Sequence, residues 1–136
     1  MQISYVAYEF MEPFSPQFSN LSCLKAEIYT LELETLPMYL ASCPNLRSLI
    51  LEVLYLSGFE QTRFSFVPQC LLSSLEFVEI KSRLDKHPIV TKLVSYFVEN
   101  SVVLKKLVLD LAEDSVVVRD LLALPRRSSE CQIVVC

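Results

Sequence analysis

The side chains of this 136-residue sequence that could form a nucleophile–base pair are one histidine and five cysteines. A thiol becomes a useful nucleophile when an imidazole within hydrogen-bond reach takes its proton, so a pairing of His87 with Cys70 or Cys131 would support covalent catalysis. The sequence does not bring such a pair together. His87 lies in RLDKHPIV, a polar, proline-containing loop entering a helix, and reads as a surface histidine. Cys23, Cys43, Cys70, Cys131 and Cys136 are odd in number and widely spaced, with no C-x-x-C, and one histidine cannot complete a paired zinc-ligand pattern. They read as free thiols in a reducing compartment, several of them buried. Glu113 and Asp114 are adjacent carboxylates at a helix start, where they oppose the helix dipole rather than share a proton. Gly58 is the one glycine, so no glycine-rich phosphate cradle can form. No catalytic, cofactor or metal site is expected, and the chain reads as a non-enzyme.

Bulk properties point the same way. The length suits a single domain with one buried core. Hydrophobic residues make up 52% but occur in short clusters, none near the roughly 18 apolar residues that read as a membrane helix. The start, MQISYVAYEF, lacks the basic and apolar regions of a signal peptide. Net charge is −4, and Lys105-Lys106 and Arg126-Arg127 are the only adjacent cations. Neither nucleic acid nor a membrane is expected as a partner. Asn20-Leu21-Ser22 matches a glycosylation sequon by chance, and the expected location is cytoplasmic or nuclear.

The organising feature is a repeat. LKKLVLDL places Leu104, Leu107, Leu109 and Leu111 at spacings of three, two and two. The same spacing occurs at Leu46, Leu49, Leu51 and Val53, and its first three positions at Leu75, Val78 and Ile80. A weaker copy is Leu21, Leu24, Ala26 and Ile28. Starts at 21, 46, 75 and 104 are 25, 29 and 29 residues apart, inside the interval of about 20–29 residues of leucine-rich repeats. Each L-x-L is a short strand with alternate side chains inward, and the leading leucine sits on the turn entering it. One unit cannot bury its apolar side alone, so neighbours must stack.

Helical segments are predicted between the strands. Pro37 opens one that carries Leu36, Met38, Tyr39 and Leu40 and stops before Pro44. Pro88 opens a second, with Ile89, Val90, Leu93, Val94, Phe97 and Val98 at helical spacing and an end near Asn100. A third is capped by Asp114 or Ser115, carries Leu121, Leu122 and Leu124, and stops at Pro125. Residues 2–10 and Gln132 to Val135 read as flanking strands. The fold class is therefore α/β, a short leucine-rich-repeat-like arc of strand–helix units closed by a C-terminal capping helix and strand. The N-terminal end has the shorter cap and is expected to favour self-association.

Residues alternating with the inward ones face the concave side of such an arc: Cys23, Lys25 and Glu27; Ser48, Ile50 and Glu52; Phe77, Glu79 and Lys81; Lys106, Val108 and Asp110. Apolar Ile50, Phe77 and Val108 surrounded by charges of both signs have the anatomy of a protein-binding patch. The candidate partner-binding residues are Ser48, Ile50, Glu52, Phe77, Glu79, Lys81, Lys106, Val108 and Asp110.

FVPQCLLSSLEFVEIKS, LVSYFVENSVVLKKLVLDL and LLALPRRSSECQIVV, in that order, resemble the FBD domain at the C-terminus of plant F-box/leucine-rich-repeat proteins. The resemblance runs from residue 64 to the end, and residues 18–53 resemble the last repeats that precede that domain. It divides the chain into a partial leucine-rich-repeat region, 1–63, and an FBD-like domain, 64–136, packed as one continuous unit. Two loops depart from the family pattern. SRLDKHPIV stands where a glycine-bearing acidic loop is usual, and Arg127 where a small residue often follows Leu-Pro-Arg. In such proteins an N-terminal F-box docks onto the adaptor of a cullin-type ubiquitin ligase, and no counterpart of it is expected in these residues. The resemblance implies a protein–protein interaction module from the substrate-recognition end of such a receptor, its protein target unknown. The alternative it leaves is a truncated regulatory or self-associating fragment that competes with or pairs with longer relatives.

Overall fold

The computed structural model describes residues 4–5, 21–54, 64, 66–82, 88–111 and 123–135. Six strands form one parallel sheet: β1 (Ser4–Tyr5), β2 (Cys23–Tyr29), β3 (Ser48–Leu54), β4 (Phe77–Ser82), β5 (Lys106–Leu111) and β6 (Gln132–Val135). Their order across the sheet is their order in the chain. A 3₁₀ segment (Thr30–Thr35) running into α1 (Leu36–Ala41) joins β2 to β3. Helix α2 (Gln69–Ser73) precedes β4, and α3 (Pro88–Asn100) lies between β4 and β5. This is the α/β strand–helix arc expected from the repeat.

The spacing works as the period of two requires. Strand registers align Leu24, Leu49, Val78, Leu107 and Ile133 in one row and Ala26, Leu51, Ile80, Leu109 and Val135 in the next. From β2 to β5 these residues are buried, while Ile133 and Val135 pack half-buried against the same core. The leading leucines Leu46, Leu75 and Leu104 are fully buried, whereas Leu21 is half-buried. Burying each such side chain contributes about 1.5–3 kcal/mol, so every repeat adds its own share to the driving force for stacking.

Backbone groups beside the leading leucines link successive units. The Ser22 carbonyl accepts from Arg47 N–H (2.8 Å) and Ser48 N–H (2.9 Å). The Arg47 carbonyl does the same for Glu76 and Phe77, and the Glu76 carbonyl for Lys105 (2.8 Å) and Lys106 (3.2 Å). The Lys105 carbonyl then takes the Gln132 N–H at 3.0 Å. A side chain adds to one junction: Ser74 Oγ donates to the Leu46 carbonyl at 2.7 Å, with the Pro44 and Cys70 carbonyls at 3.3 and 3.4 Å.

Proline sets the helix starts. Pro37 occupies the first turn of α1, and Pro88 is the first residue of α3, where a missing N–H costs nothing. Along α3, Val90, Leu93, Val94, Phe97 and Val98 are buried, and Lys92 and Glu99 are exposed. Tyr96 fastens the segment before α2 to this helix. Its ring stacks on Phe64 with centroids 4.3 Å apart, and its hydroxyl donates to the Phe66 carbonyl at 3.1 Å. The C-terminal segment is tied down by Arg127 N–H to the Val98 carbonyl (2.9 Å) and Arg126 Nη1 to the Cys131 carbonyl (2.8 Å).

Some expectations fall wholly or partly outside the described residues. Within residues 2–10, strand is described for Ser4–Tyr5 alone. The helix expected from Asp114 or Ser115 falls at residues 112–122, outside the described residues, and Leu124 sits half-buried in a bend beyond it. The flanking strand expected at Gln132 to Val135 is β6, which continues both the inward rows and the backbone links beyond LKKLVLDL. The sequence reading also missed α2 and the 3₁₀ segment, whose one or two turns are too short to display a helical period.

Candidate protein-binding face

The same registers that build the core put the alternating residues into three rows on the other side of the sheet. The first holds Cys23, Ser48, Phe77, Lys106 and Gln132; the second Lys25, Ile50, Glu79, Val108 and Val134; the third Glu27, Glu52, Lys81 and Asp110. All nine residues singled out from the sequence fall within these rows. Ile50, Phe77 and Val108 are half-buried, and Lys106 is exposed. Cys23 differs from its neighbours in being only 3% exposed, so it presents little to a partner.

The apolar members do not make a continuous centre. Glu79 stands between Ile50 and Val108 in the second row, and it pairs with Lys81 two residues on, at 3.6 Å. On the far side of Glu79, Val108 has Val134 beside it, a neighbour that the repeat pattern did not reveal because β6 belongs to no full copy. In the third row Lys81 is the one cation among the three carboxylates of Glu27, Glu52 and Asp110. The face is thus mixed along its first two rows and acidic along its third.

A second charged array follows the rim where the strands begin. Arg47, Glu76 and Lys105 hold the same position in three successive units, and Glu76 bridges the other two, to Arg47 Nη2 at 3.1 Å and Lys105 Nζ at 3.3 Å. Hydrogen bonds from Lys105 and Arg47 hold the Glu76 carboxyl below its ordinary range. This alternation was readable from the aligned repeats as plus, minus, plus at a common position.

The described thiols are poorly suited to chemistry. Cys23, Cys43, Cys70 and Cys131 are buried and free. Burial pushes the Cys43 thiol up to about 11 and, with Cys43 nearby, the Cys70 thiol up to about 12. Such thiols stay protonated near neutrality. His87 lies outside the described residues. A hollow of about 560 Å³ runs along α3, lined by Phe64, Thr91, Lys92, Ser95, Tyr96 and Glu99 among others, with neither thiol nor imidazole among its described lining residues. Among the described residues, no group of His, Cys, Asp and Glu could hold a metal, and no helix is long and apolar enough to cross a membrane.

A family model described as FBD matches residues 61–109, which run through α2, β4 and α3 into β5. The chain is also 52% identical over 136 residues to the FBD-associated F-box protein At5g22730 of Arabidopsis thaliana, across 95% of its own length. It belongs to the plant FBD-containing F-box/LRR family. Two further Arabidopsis thaliana relatives, the F-box/FBD/LRR-repeat proteins At5g22700 and At1g78750, are 51% and 43% identical over 88% and 94% of the chain. The chain spans less than a third of the length of these relatives, 29%, 28% and 29% respectively. No solved structure matches it. The FBD match contains Phe77, Glu79, Lys81, Lys106 and Val108, whereas Ser48, Ile50 and Glu52 precede it and Asp110 lies just beyond its end. The sheet is continuous across these limits, because β3 of the preceding repeats pairs with β4 of the FBD region over six residues.

Proposed function

We propose that the chain is a non-enzymatic protein–protein interaction module, the target-recognition end of an F-box-type ubiquitin-ligase receptor, and that it binds its target on the three-row face of the sheet. One observation carries this reading. A register without slips brings Ile50, Phe77 and Val108, half-buried and unneeded by the core, into one surface with charged residues of both signs. Apolar anchors with a polar surround are what a partner desolvates most profitably. The acidic third row favours a target whose cations lie over Glu27, Glu52 and Asp110, which makes association slower as salt rises.

The test is affinity capture from plant extract with three forms of the chain: unchanged, Phe77→Ala on the face, and Glu99→Gln on the outer side of α3. A protein retained by the unchanged and Glu99→Gln forms and lost with Phe77→Ala supports the reading. Equal capture by all three forms overturns the assignment of the face.

A further inference from the structure

The C-terminal segment holds a feature that the binding face does not use. Arg126, Arg127, Ser128 and Ser129 form a tight run after Pro125, and both arginines and Ser129 are exposed, whereas Ser128 is 7% exposed. Arg127 N–H bonds to the Val98 carbonyl, Cys131 N–H closes onto the Ser128 carbonyl at 3.3 Å, and Arg126 Nη1 donates to the Cys131 carbonyl at 2.8 Å, a bond that a kinase must exchange for its own. Ser129 therefore sits on a surface turn, with guanidinium groups two and three residues before it.

Ser129 opens into a depression of about 390 Å³ whose lining includes Glu76, Lys105, Arg127, Ser128 and Glu130. Two cations and two hydroxyls thus share one concavity with two carboxylates. Glu76 is already engaged by Arg47 and Lys105.

We propose that Ser129 is a phosphorylation site for an arginine-directed serine/threonine kinase, with Arg126 and Arg127 as the residues the kinase reads. Paired guanidiniums three and two residues ahead of a hydroxyl suit an acidic substrate groove, because each can form charge-assisted bonds with a carboxylate. In the reaction Ser129 Oγ forms a bond to the γ-phosphorus of a nucleoside triphosphate. The bond to the β,γ-bridging oxygen breaks, the nucleoside diphosphate leaves, and the hydroxyl proton passes to the kinase's catalytic carboxylate. The product places about −1.5 to −2 charges in the depression. There the phosphate competes with Glu76 for Lys105, and Glu76 keeps Arg47. The chain then carries a switchable charge at the rim of the sheet, at the junction between its last units. This proposal is independent of the assignment of the binding face.

The folded 136-residue chain is incubated with adenosine triphosphate and the catalytic subunit of a cyclic-nucleotide-dependent protein kinase, and the product is followed by intact mass and peptide mapping. One phosphate on Ser129 is expected, with none on Ser129→Ala. In Arg127→Ala, initial incorporation should fall by about tenfold, the effect of one charge-assisted hydrogen bond lost to the kinase. Both substitutions replace exposed side chains, and circular dichroism checks that each variant is folded. Three results overturn the proposal: no incorporation into the folded chain, incorporation mapped to Ser128 or elsewhere, or an unchanged rate in Arg127→Ala.

Discussion

Strand β4 has two faces that obey different rules. Val78 and Ile80 point into the core and are fully buried, and their register neighbours in β3 and β5 are leucines throughout. Phe77, Glu79 and Lys81, one residue away in each case, stand beside Ser48, Ile50 and Glu52 on one side and Lys106, Val108 and Asp110 on the other. The two rows through Val78 and Ile80 are aliphatic throughout, because each must fill the gap between sheet and helices. The outward rows mix an aromatic ring, branched aliphatics, a hydroxyl, three carboxylates and two ammonium groups within three strands. Packing does not dictate that mixture. Its composition is open to being set by whatever binds there.

The sharpest way to break this contrast is to truncate one residue of each kind. Leu75→Ala removes a fully buried leading leucine and should cost about 2–5 kcal/mol in urea unfolding, since neighbouring units can only partly close the cavity. If it costs no more than an outward substitution, the inward rows are not the core described above. Next in size is Ser74→Ala, which deprives the Leu46 carbonyl of its donor and should cost about 1–2 kcal/mol. A loss close to zero would show that the backbone links alone join the two units.

Glu76→Gln tests the rim and should have a smaller effect, one that depends on pH. Arg47 and Lys105 lower the carboxyl's pKa from its ordinary 4.5, so its stabilising contribution is complete above 4.5 and is lost as pH falls through the lower folded value. The unchanged chain should therefore outlast Glu76→Gln at pH 7, and the two melting curves should converge in acid. Raised salt should narrow the gap too, because both pairs are exposed. Smallest of all is Val108→Thr, a near-isosteric change on the outward face, for which a shift within about 0.5 kcal/mol is expected. A loss as large as that of Ser74→Ala would make the outward face structural.

Much of this was written in the spacing of residues. The three-two-two pattern fixed which side chains of β2 to β5 turn inward, and because the period of a strand is two, the same pattern fixed the outward set. Pro37 and Pro88 marked α1 and α3, and the run Gln132 to Val135 proved to be β6. What escaped had physical reasons. Helix α2 is five residues long, little more than one turn, and its helical period has no room to repeat. The splitting of the apolar patch by Glu79 depends on register between strands, which repeats aligned by their leucines contained but composition alone did not. Val134 was hidden because its strand lacks a leading leucine, Glu130 standing three residues before Ile133.

The sheet keeps the order of the chain and steps from strand to strand without a slip in register. It therefore works as a graduated scale. Each strand adds one mark, about 4.8 Å from the last, and each mark carries its own short sequence of outward residues. Gaining or losing a whole unit would change how many marks a partner can span while leaving the reading at every other mark as it was. Inserting one residue within a strand would shift that strand's marks against all the others. Drift in such a protein is thus free in whole units and forbidden in fractions.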